Sequence, residues 1–509
     1  MAFVQNRWIN PDTIESREYQ NKIVEAAKTS NTLVVLPTGL GKTPIAALVS
    51  AHCLDRDADK KILFLAPTKP LVEQHKATFE KFFKTGLEMK VITGASKPEE
   101  RSDLYGKADI VFSTPQTIRN DIKTGRLSLN NYSLLIVDEA HRAVGNYAYP
   151  YVAKVFTNQA GSLILALTAS PGSHKLRIDE IKQKLYIRKV EIRSREDSDV
   201  QPYIKQVKET RVSVELPVPL RTLHDYLKNI KSERIKKLMG WKIINSSYIT
   251  KTEIIKLQQE LAKKKSGFSF AAISMLAEIL KIDHALLLLE TQCLHSLKKY
   301  FDGLARQETK AVARLLKEEN FMNAVRLTDE LINEGAEHPK IGKLKEIVAE
   351  EIAKDKYCHI IVFAQFRDTI AKICESLKCI KNAAPVEFIG QAKKSGKGLS
   401  QKEQVQIINE FKLGFYNILV ASQVGEEGLD ITETDVVIFY EPTPSAIRKI
   451  QRSGRTARTR SGRVIVLMTK DTRDEAFHWS GFRKEQKMKK LVYDMQKKQQ
   501  TLEDFGKEL

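Results

Sequence analysis

Three groups of residues in this chain have the types and spacing for phosphate chemistry. Leu36-Pro37-Thr38-Gly39-Leu40-Gly41-Lys42-Thr43 lies between the apolar run NTLVVL and the helical stretch PIAALVSAHCL. Glycine in such a loop lets backbone N–H groups turn toward phosphate oxygens, and the helix N-terminus behind it adds the positive end of its dipole. Thr38, Gly39 and Gly41 would form the cradle. Lys42 would reach the β and γ phosphates of a nucleotide such as ATP, and the Thr43 hydroxyl would ligate Mg²⁺, which takes oxygen donors and keeps most of its waters. Leu36 departs from the general pattern, which has glycine there. Pro44 is tolerated, because an N–H in the first helical turn has no intrahelical partner. The second group is Asp138-Glu139, at the end of the apolar run from Tyr132 to Val137. Adjacent residues leaving a strand point in different directions, so Asp138 can hold the Mg²⁺ shell while Glu139 orients and deprotonates an attacking water. The third is Gln451, Arg455 and Arg458, which share one face of a helix at i, i+4 and i+7. Arginines so aligned suit stabilisation of a transferring phosphoryl group from a second domain, a contribution of ~10³ to 10⁵ in rate.

These residues need strands to carry them. From about residue 31 to 200, apolar runs rich in β-branched residues (NTLVVL, KILFLAP, MKVITG, DIVFSTP, YSLLIVDEA, SLILALTAS) alternate with amphipathic stretches. The pattern predicts a parallel sheet with helices on both faces. A second series starts near residue 340 with HIIVFAQF, VEFIG, NILVAS, DVVIFY and VIVLMT. The fold class is therefore α/β, two parallel-sheet domains, with boundaries expected at 1–205 and 339–490. Residues 206–338 change to long Lys-rich and Leu-rich stretches of helical spacing and are expected to be a helical insertion. Its lysines, among them Lys263, Lys264 and Lys265 beside Phe268 and Phe270, are either a solvated face of a spacer or a nucleic-acid clamp.

The 509 residues carry a formal net charge of +20, which points to a polyanionic partner. No apolar run approaches the roughly 20 residues that span a bilayer, so no membrane partner is expected. The N-terminus lacks the basic and apolar regions of a signal peptide, which predicts a cytoplasmic, nucleoid-associated protein. Five scattered cysteines (Cys53, Cys293, Cys358, Cys374, Cys379) include no CxxC pair and read as reduced thiols.

PTGLGKT, APTKPLVEQ, STPQT, DEAH, TASPG, VFAQFRDT, VASQVGEEGLDI and QRSGRTAR occur in this order, and together they resemble the superfamily 2 helicases, which implies that the two sheet domains are RecA-like. The resemblance implies that Gln20 reads adenine and that Gly428 and Asp430 contact nucleotide from the second domain. It also implies that His141, Thr168, Ala169 and Ser170 couple hydrolysis to strand binding, and that Thr68, Thr93, Gly94, Thr114 and Thr117 contact the strand backbone. A narrower similarity, through FIGQAKKSGKGLSQKEQVQIINEF and the run that follows it, is to the archaeal Hef helicases and their Fanconi anaemia M relatives. That group implies an archaeal source, a thumb-like insertion and a branched-DNA substrate, either stalled forks or Holliday junctions. Ser422-Gln423, Ser453 and Ala457 depart from its usual residues at positions that bear on strand contact.

Some Hef proteins carry a nuclease; no acidic-ERK nuclease signature is found here, so the chain is not expected to cut DNA and a separate structure-specific nuclease becomes a candidate partner. Residues 491–509 read as a polar tail, in which Gln499, Leu502 and Phe505 resemble a sliding-clamp binding peptide of extended form. Two alternatives stay open at this level. One is a duplex-RNA-stimulated ATPase of the RIG-I or Dicer type, since contacts to phosphate alone do not separate DNA from RNA. The other is an ATPase-silent platform that recruits a nuclease or clamp.

Overall fold

The apolar runs become strands. In this computed structural model the described residues are 2–505 without 58, 159–160, 170–174, 205–206, 265, 391–397, 423–433 and 446–461; the side chains of 207, 492 and 495–505 also lie outside the description. The first sheet contains β1 (Thr32–Val35), β2 (Lys61–Leu65), β3 (Met89–Ile92), β4 (Ile110–Ser113), β5 (Tyr132–Val137), β6 (Leu163–Thr168) and β7 (Lys189–Ile192). Its order is β3-β4-β2-β5-β6-β1-β7, parallel throughout. Side chains alternate between its faces. Leu33 and Val35 join one core with Leu63, Leu65 and Val111, while Val34 and Leu36 join the other with Ile62, Phe64 and Phe112.

The second sheet contains β8 (Val207–Val214), β9 (Ile360–Phe363), β10 (Pro385–Phe388), β11 (Ile418–Ala421), β12 (Val436–Phe439) and β13 (Gly462–Thr469). Its order, β10-β11-β9-β12-β13-β8, is again parallel. β8 corrects the expected insertion boundary. Residues 207–214 pair along their whole length with Gly462–Thr469 as an edge strand of the second sheet, so the insertion's helices begin only at Val218. The strand was hidden because it is polar and largely exposed; its ladder to β13 supplies the order that its side chains do not.

Among the described residues six helices form the insertion: Val218–Gly240, Lys251–Lys264, Gly267–Thr291, Leu294–Ala305, Lys310–Leu315 and Glu319–Asn333. They build two cores. Leu223, Leu227 and Ile230 pack with Leu286, Leu289, Phe301 and Phe321 near the second sheet domain, and Ile235 and Leu238 pack with Ile254, Leu261, Leu276 and Ile279 at the far end. A buried ionic knot joins the insertion to the second sheet domain. Lys340, at the start of the helix Pro339–Lys354, donates to the Thr291 carbonyl and to Asp474 Oδ2, each at 2.8 Å, with its Nζ 4.8 Å from the Tyr440 ring centre. Next to it, Arg473 holds Asp283 through both terminal nitrogens, at 2.8 and 3.1 Å.

Asp474 opens a helix that runs from Arg473 to Phe505. Residues 491–505, expected as a polar tail, continue this helix. Gly481 allows the helix to approach Thr443 closely, because a Cβ there would fall 2.5 Å from the Thr443 carbonyl oxygen. Farther along, Lys489 pairs with Glu196 of the first domain at 2.8 Å. All five cysteines are free, and all except Cys379 are buried. Among the described residues no helix is long and apolar enough to cross a membrane.

Candidate active site

The loop after β1 turns through two left-handed glycines, Gly39 at φ +85° and Gly41 at φ +82°. Gly41 is required twice over, since a Cβ on it would also sit 2.2 Å from Gln20 Nε2. Gln20 is only 2% exposed, and its amide donates to the Leu40 carbonyl at 3.1 Å; the Tyr19 hydroxyl donates to the same carbonyl at 2.8 Å. The residue expected to read adenine is thus docked on the phosphate loop. Lys42 Nζ donates to the Leu36 carbonyl at 3.0 Å, which holds the ammonium against the loop it springs from. This accounts for leucine at position 36: its side chain is core, and the loop uses only its carbonyl. Thr38 and Thr43 are both partly exposed on the same loop.

β5 lies two strands from β1 and delivers Asp138 and Glu139 to the same C-terminal edge, where open α/β sheets bind ligands. Asp138 is nearly buried and receives a 2.9 Å hydrogen bond from His75 Nε2, while its backbone carbonyl accepts from the Tyr149 hydroxyl at 2.7 Å. Burial works to raise its pKa. The hydrogen bond and attraction of His75 and the field of Lys42 outweigh burial and hold the carboxyl below its ordinary range. Glu139 adopts φ +49°, a conformation that costs about 1–3 kcal/mol in a non-glycine residue. Its carboxylate lies within 3.1 Å of His141 Nδ1. The same nitrogen lies 3.3 Å from Thr168 Oγ1 at the end of β6. His141 therefore touches both the acidic pair and the next strand, and a displacement of one bears on the other.

Thr68, Thr93, Gly94 and Thr114 follow the ends of β2, β3 and β4, which are neighbours in the order β3-β4-β2. They form a row along one half of the sheet edge. Thr68 Oγ1 is buried without a hydrogen-bond partner, Gly94 is exposed, and Thr114 Oγ1 lies 2.9 Å from Thr117 Oγ1. Thr117 itself is buried, so it supports Thr114 from behind. Lys263 and Lys264 are exposed in the last turn of their helix, in the far part of the insertion. Ser170, Lys265, Gly428, Asp430, Gln451, Arg455 and Arg458 lie outside the described residues, as do the side chains of Gln499, Leu502 and Phe505.

Sequence reasoning missed His75. Its signal was available: Val72, His75 and Phe79 are the buried residues of the helix Lys69–Phe82, and a histidine on an apolar stripe needs a polar partner. Two others that it missed come from the segment after β7. Tyr203 packs against Tyr19 with its ring tilted, 5.7 Å between ring centres, and Arg195 comes within 3.5 Å of the Thr38 carbonyl.

Comparisons with known proteins agree with this geometry. A DEAD/DEAH box helicase family model matches residues 17–177, and a helicase conserved C-terminal domain model matches 340–460. A helical-bundle model, provisionally named for an ATP-dependent RNA helicase, matches 220–333. A Methanocaldococcus jannaschii protein, named provisionally as an ATP-dependent RNA helicase, is 42% identical over 496 residues, covering 97% of this chain and 63% of that protein. A Schizosaccharomyces pombe protein named as an ATP-dependent DNA helicase is 33% identical over 488 residues, covering 91% of this chain and 58% of its own length. The chain thus spans less than two thirds of either relative. Among solved structures, the Pyrococcus furiosus Hef helicase domain matches at 41% identity with a TM-score of 0.73, covering 93% of this chain and 99% of that one.

Proposed function

The chain belongs to the superfamily 2 helicases, in the group of the archaeal Hef helicases, and we propose that it is an ATP-hydrolysing motor that remodels branched DNA at stalled forks and Holliday junctions. One observation carries the reading: the phosphate loop, the acidic pair and a row of hydroxyls occupy a single sheet edge, with His141 between hydrolysis and strand contact.

In this reading Lys42 neutralises the β and γ phosphates within the cradle that Gly39 and Gly41 leave open. Bound Mg²⁺ would supply positive charge to offset that of the phosphates. Thr43 and Asp138 fit it as oxygen donors, few enough for an ion that keeps most of its waters, and His75 keeps Asp138 ionised and oriented until then. Glu139 takes the proton from the attacking water. Gln451, Arg455 and Arg458, with Gly428 and Asp430, complete the site from the second domain, so turnover requires the two domains to close. His141 and Thr168, with Ser170, pass that closure to Thr68, Thr93, Gly94 and Thr114 on the strand side.

DNA as the substrate is supported by the name of the S. pombe relative and by the Hef structure. A branched form is supported by the far part of the insertion, where Lys236, Lys237, Lys242, Lys251, Lys263 and Lys264 are exposed. Duplex RNA is the second reading, favoured by the name of the M. jannaschii relative. A sliding clamp that binds Gln499, Leu502 and Phe505 would first have to unwind the end of the last helix. A separate nuclease would suit a motor that opens junctions, and an archaeal, nucleoid-associated setting suits both. Steady-state ATPase at one salt concentration, with linear duplex, fork, four-way junction and duplex RNA, separates the readings. Strongest stimulation by the branched DNAs is expected; strongest stimulation by duplex RNA would overturn the DNA assignment.

A further inference from the structure

We propose that Arg195, on the segment leading from the first sheet to the second, is a ligand of the nucleotide's polyphosphate; the assignment rests on the nucleotide site proposed above. β7 lies beside β1 and parallel to it, and the Arg193 N–H continues their ladder to the Val35 carbonyl at 3.1 Å. The residues that follow β7 therefore rise next to the phosphate loop that follows β1. Arg195 Nη2 reaches to within 3.5 Å of the Thr38 carbonyl, its one hydrogen bond among the described residues. Arg193, two residues earlier, is paired with Asp199 at 2.9 Å and Glu191 at 3.6 Å. Arg195 makes no ion pair among the described residues and feels only the field of Glu196, which itself pairs with Lys489; it is half-buried, and burial outweighs that field and pulls its pKa below the ordinary value. A guanidinium carries five donors in a fixed fork, and one long contact leaves them nearly unused. The phosphate oxygens that Thr38, Gly39 and Lys42 are built to receive are the chemistry that would satisfy it.

The segment is held rigidly. Asp197 accepts from the Ser194 N–H at 2.7 Å and from the Ser194 hydroxyl at 3.1 Å, the Glu196 N–H donates to Ser194 Oγ at 3.2 Å, and Val200 is fully buried in the first domain's core. Arg195 is thus presented from a fixed turn. Its neighbour Glu196 pairs with Lys489 on the last helix, so phosphate seated on Arg195 touches the chain at the point where the two domains already meet.

The test uses the full chain and three variants, Arg195→Ala, Arg195→Gln and Arg195→Lys, with fluorescent ATP and ADP titrations and thermal melting in the absence of nucleotide. Loss of a hydrogen bond to a charged group predicts affinity roughly tenfold to a hundredfold weaker for the Ala and Gln variants, with much of it restored by Lys. Melting of the nucleotide-free Ala variant should not fall, because the removed cation has no ion-pair partner. ATP affinity within twofold of wild type in Arg195→Ala would overturn the proposal. So would wild-type affinity in Arg195→Gln, since glutamine keeps a donor for the Thr38 carbonyl but no charge. Wild-type protein that binds no ATP would sink the nucleotide site and this inference together, a result distinct from a selective loss at Arg195.

Discussion

Replacing Lys340 by methionine tests whether the knot between the insertion and the second sheet domain is held by charge. Both side chains of the Lys340–Asp474 pair are fully buried, and Asp474 Oδ2 also accepts from the Thr469 N–H at 3.0 Å. Lys340→Met fills similar volume but leaves a buried carboxylate facing a single backbone donor and the Thr291 carbonyl without its partner. Breaking a buried pair from one side costs about 3–5 kcal/mol. For a unit of 150–250 residues each kcal/mol moves the melting temperature by about 2–4 °C, so a fall of roughly 6–20 °C is expected. Asp474→Leu alone should fall similarly, since it strands the ammonium. Lys340→Met combined with Asp474→Leu should recover most of the loss, because an apolar pair of similar volume needs no compensation. The assay is thermal and urea unfolding of all three variants, read as a double-mutant cycle. Single variants melting within about 2 °C of wild type, or a double variant as unstable as the sum of the singles, would refute the reasoning.

Gly41→Ala should weaken ATP binding at least about tenfold, because left-handed backbone costs an L-residue about 1–2 kcal/mol and the new Cβ displaces Gln20; an isotherm matching wild type would remove Gln20 and the loop from the site. Lys42→Ala should abolish nucleotide binding, whereas Glu139→Gln should bind ATP without turnover; normal steady-state hydrolysis by either contradicts its role. His338 is fully buried, and burial together with the charge of Lys340 holds its pKa well below the ordinary value, so it folds neutral. Its unfolded form takes a proton below about pH 6.5, so stability is full above that pH and declines below it by up to about 1.4 kcal/mol per pH unit until the folded imidazole titrates. Urea midpoints between pH 7 and 5 should show this slope and should flatten in His338→Asn; equal slopes would assign the acid sensitivity elsewhere. Replacing residues 218–333 by a flexible bridge keeps β8 and should spare basal ATPase while lowering the preference for forks over linear duplex, measured by binding at fixed salt; an unchanged preference would make the insertion a spacer.

What was legible tracks what kind of signal each feature leaves. β1, β2, β4 to β6, β9 and β11 to β13 are buried over nearly their whole length and read as near-continuous apolar runs, while β3 and β10, at the sheet edges, bury only their end residues and were legible from the rhythm of the neighbouring runs. β7 offers only Val190 and Ile192 as apolar residues, and β8 presents Lys208, Glu209, Arg211 and Ser213; edge strands can be this polar because one side meets water. The phosphate loop and acidic pair were readable because their chemistry fixes residue type and spacing together. Thr68, Thr93 and Thr114 were not readable that way, since they are far apart in sequence and come together only because their strands are neighbours; family resemblance supplied them. The end of the last helix read only as a polar tail, because composition alone does not mark a helix. Lys, Gln, Glu and Leu are good helix formers, and no proline interrupts Arg473–Phe505. Ser400 shows one feature serving two ends: in GLSQKEQ, matched above by family likeness, Ser400 and Glu403 form a reciprocal capping box that starts the helix Gln401–Lys412.

The pairing of β8 with β13 also constrains how this chain can be made. The two strands are separated by roughly 250 residues, so at about 5–20 residues per second a ribosome would need some 12–50 seconds to supply the partner after β8 emerges. Throughout that interval a long strand has its ladder groups open to any passing edge, while the insertion behind it, rich in local helical contacts, can already fold. The charges on β8 that concealed it from sequence reasoning are what keep such a waiting strand from joining another chain. Replacing them with apolar residues would endanger the nascent protein long before it altered the finished sheet.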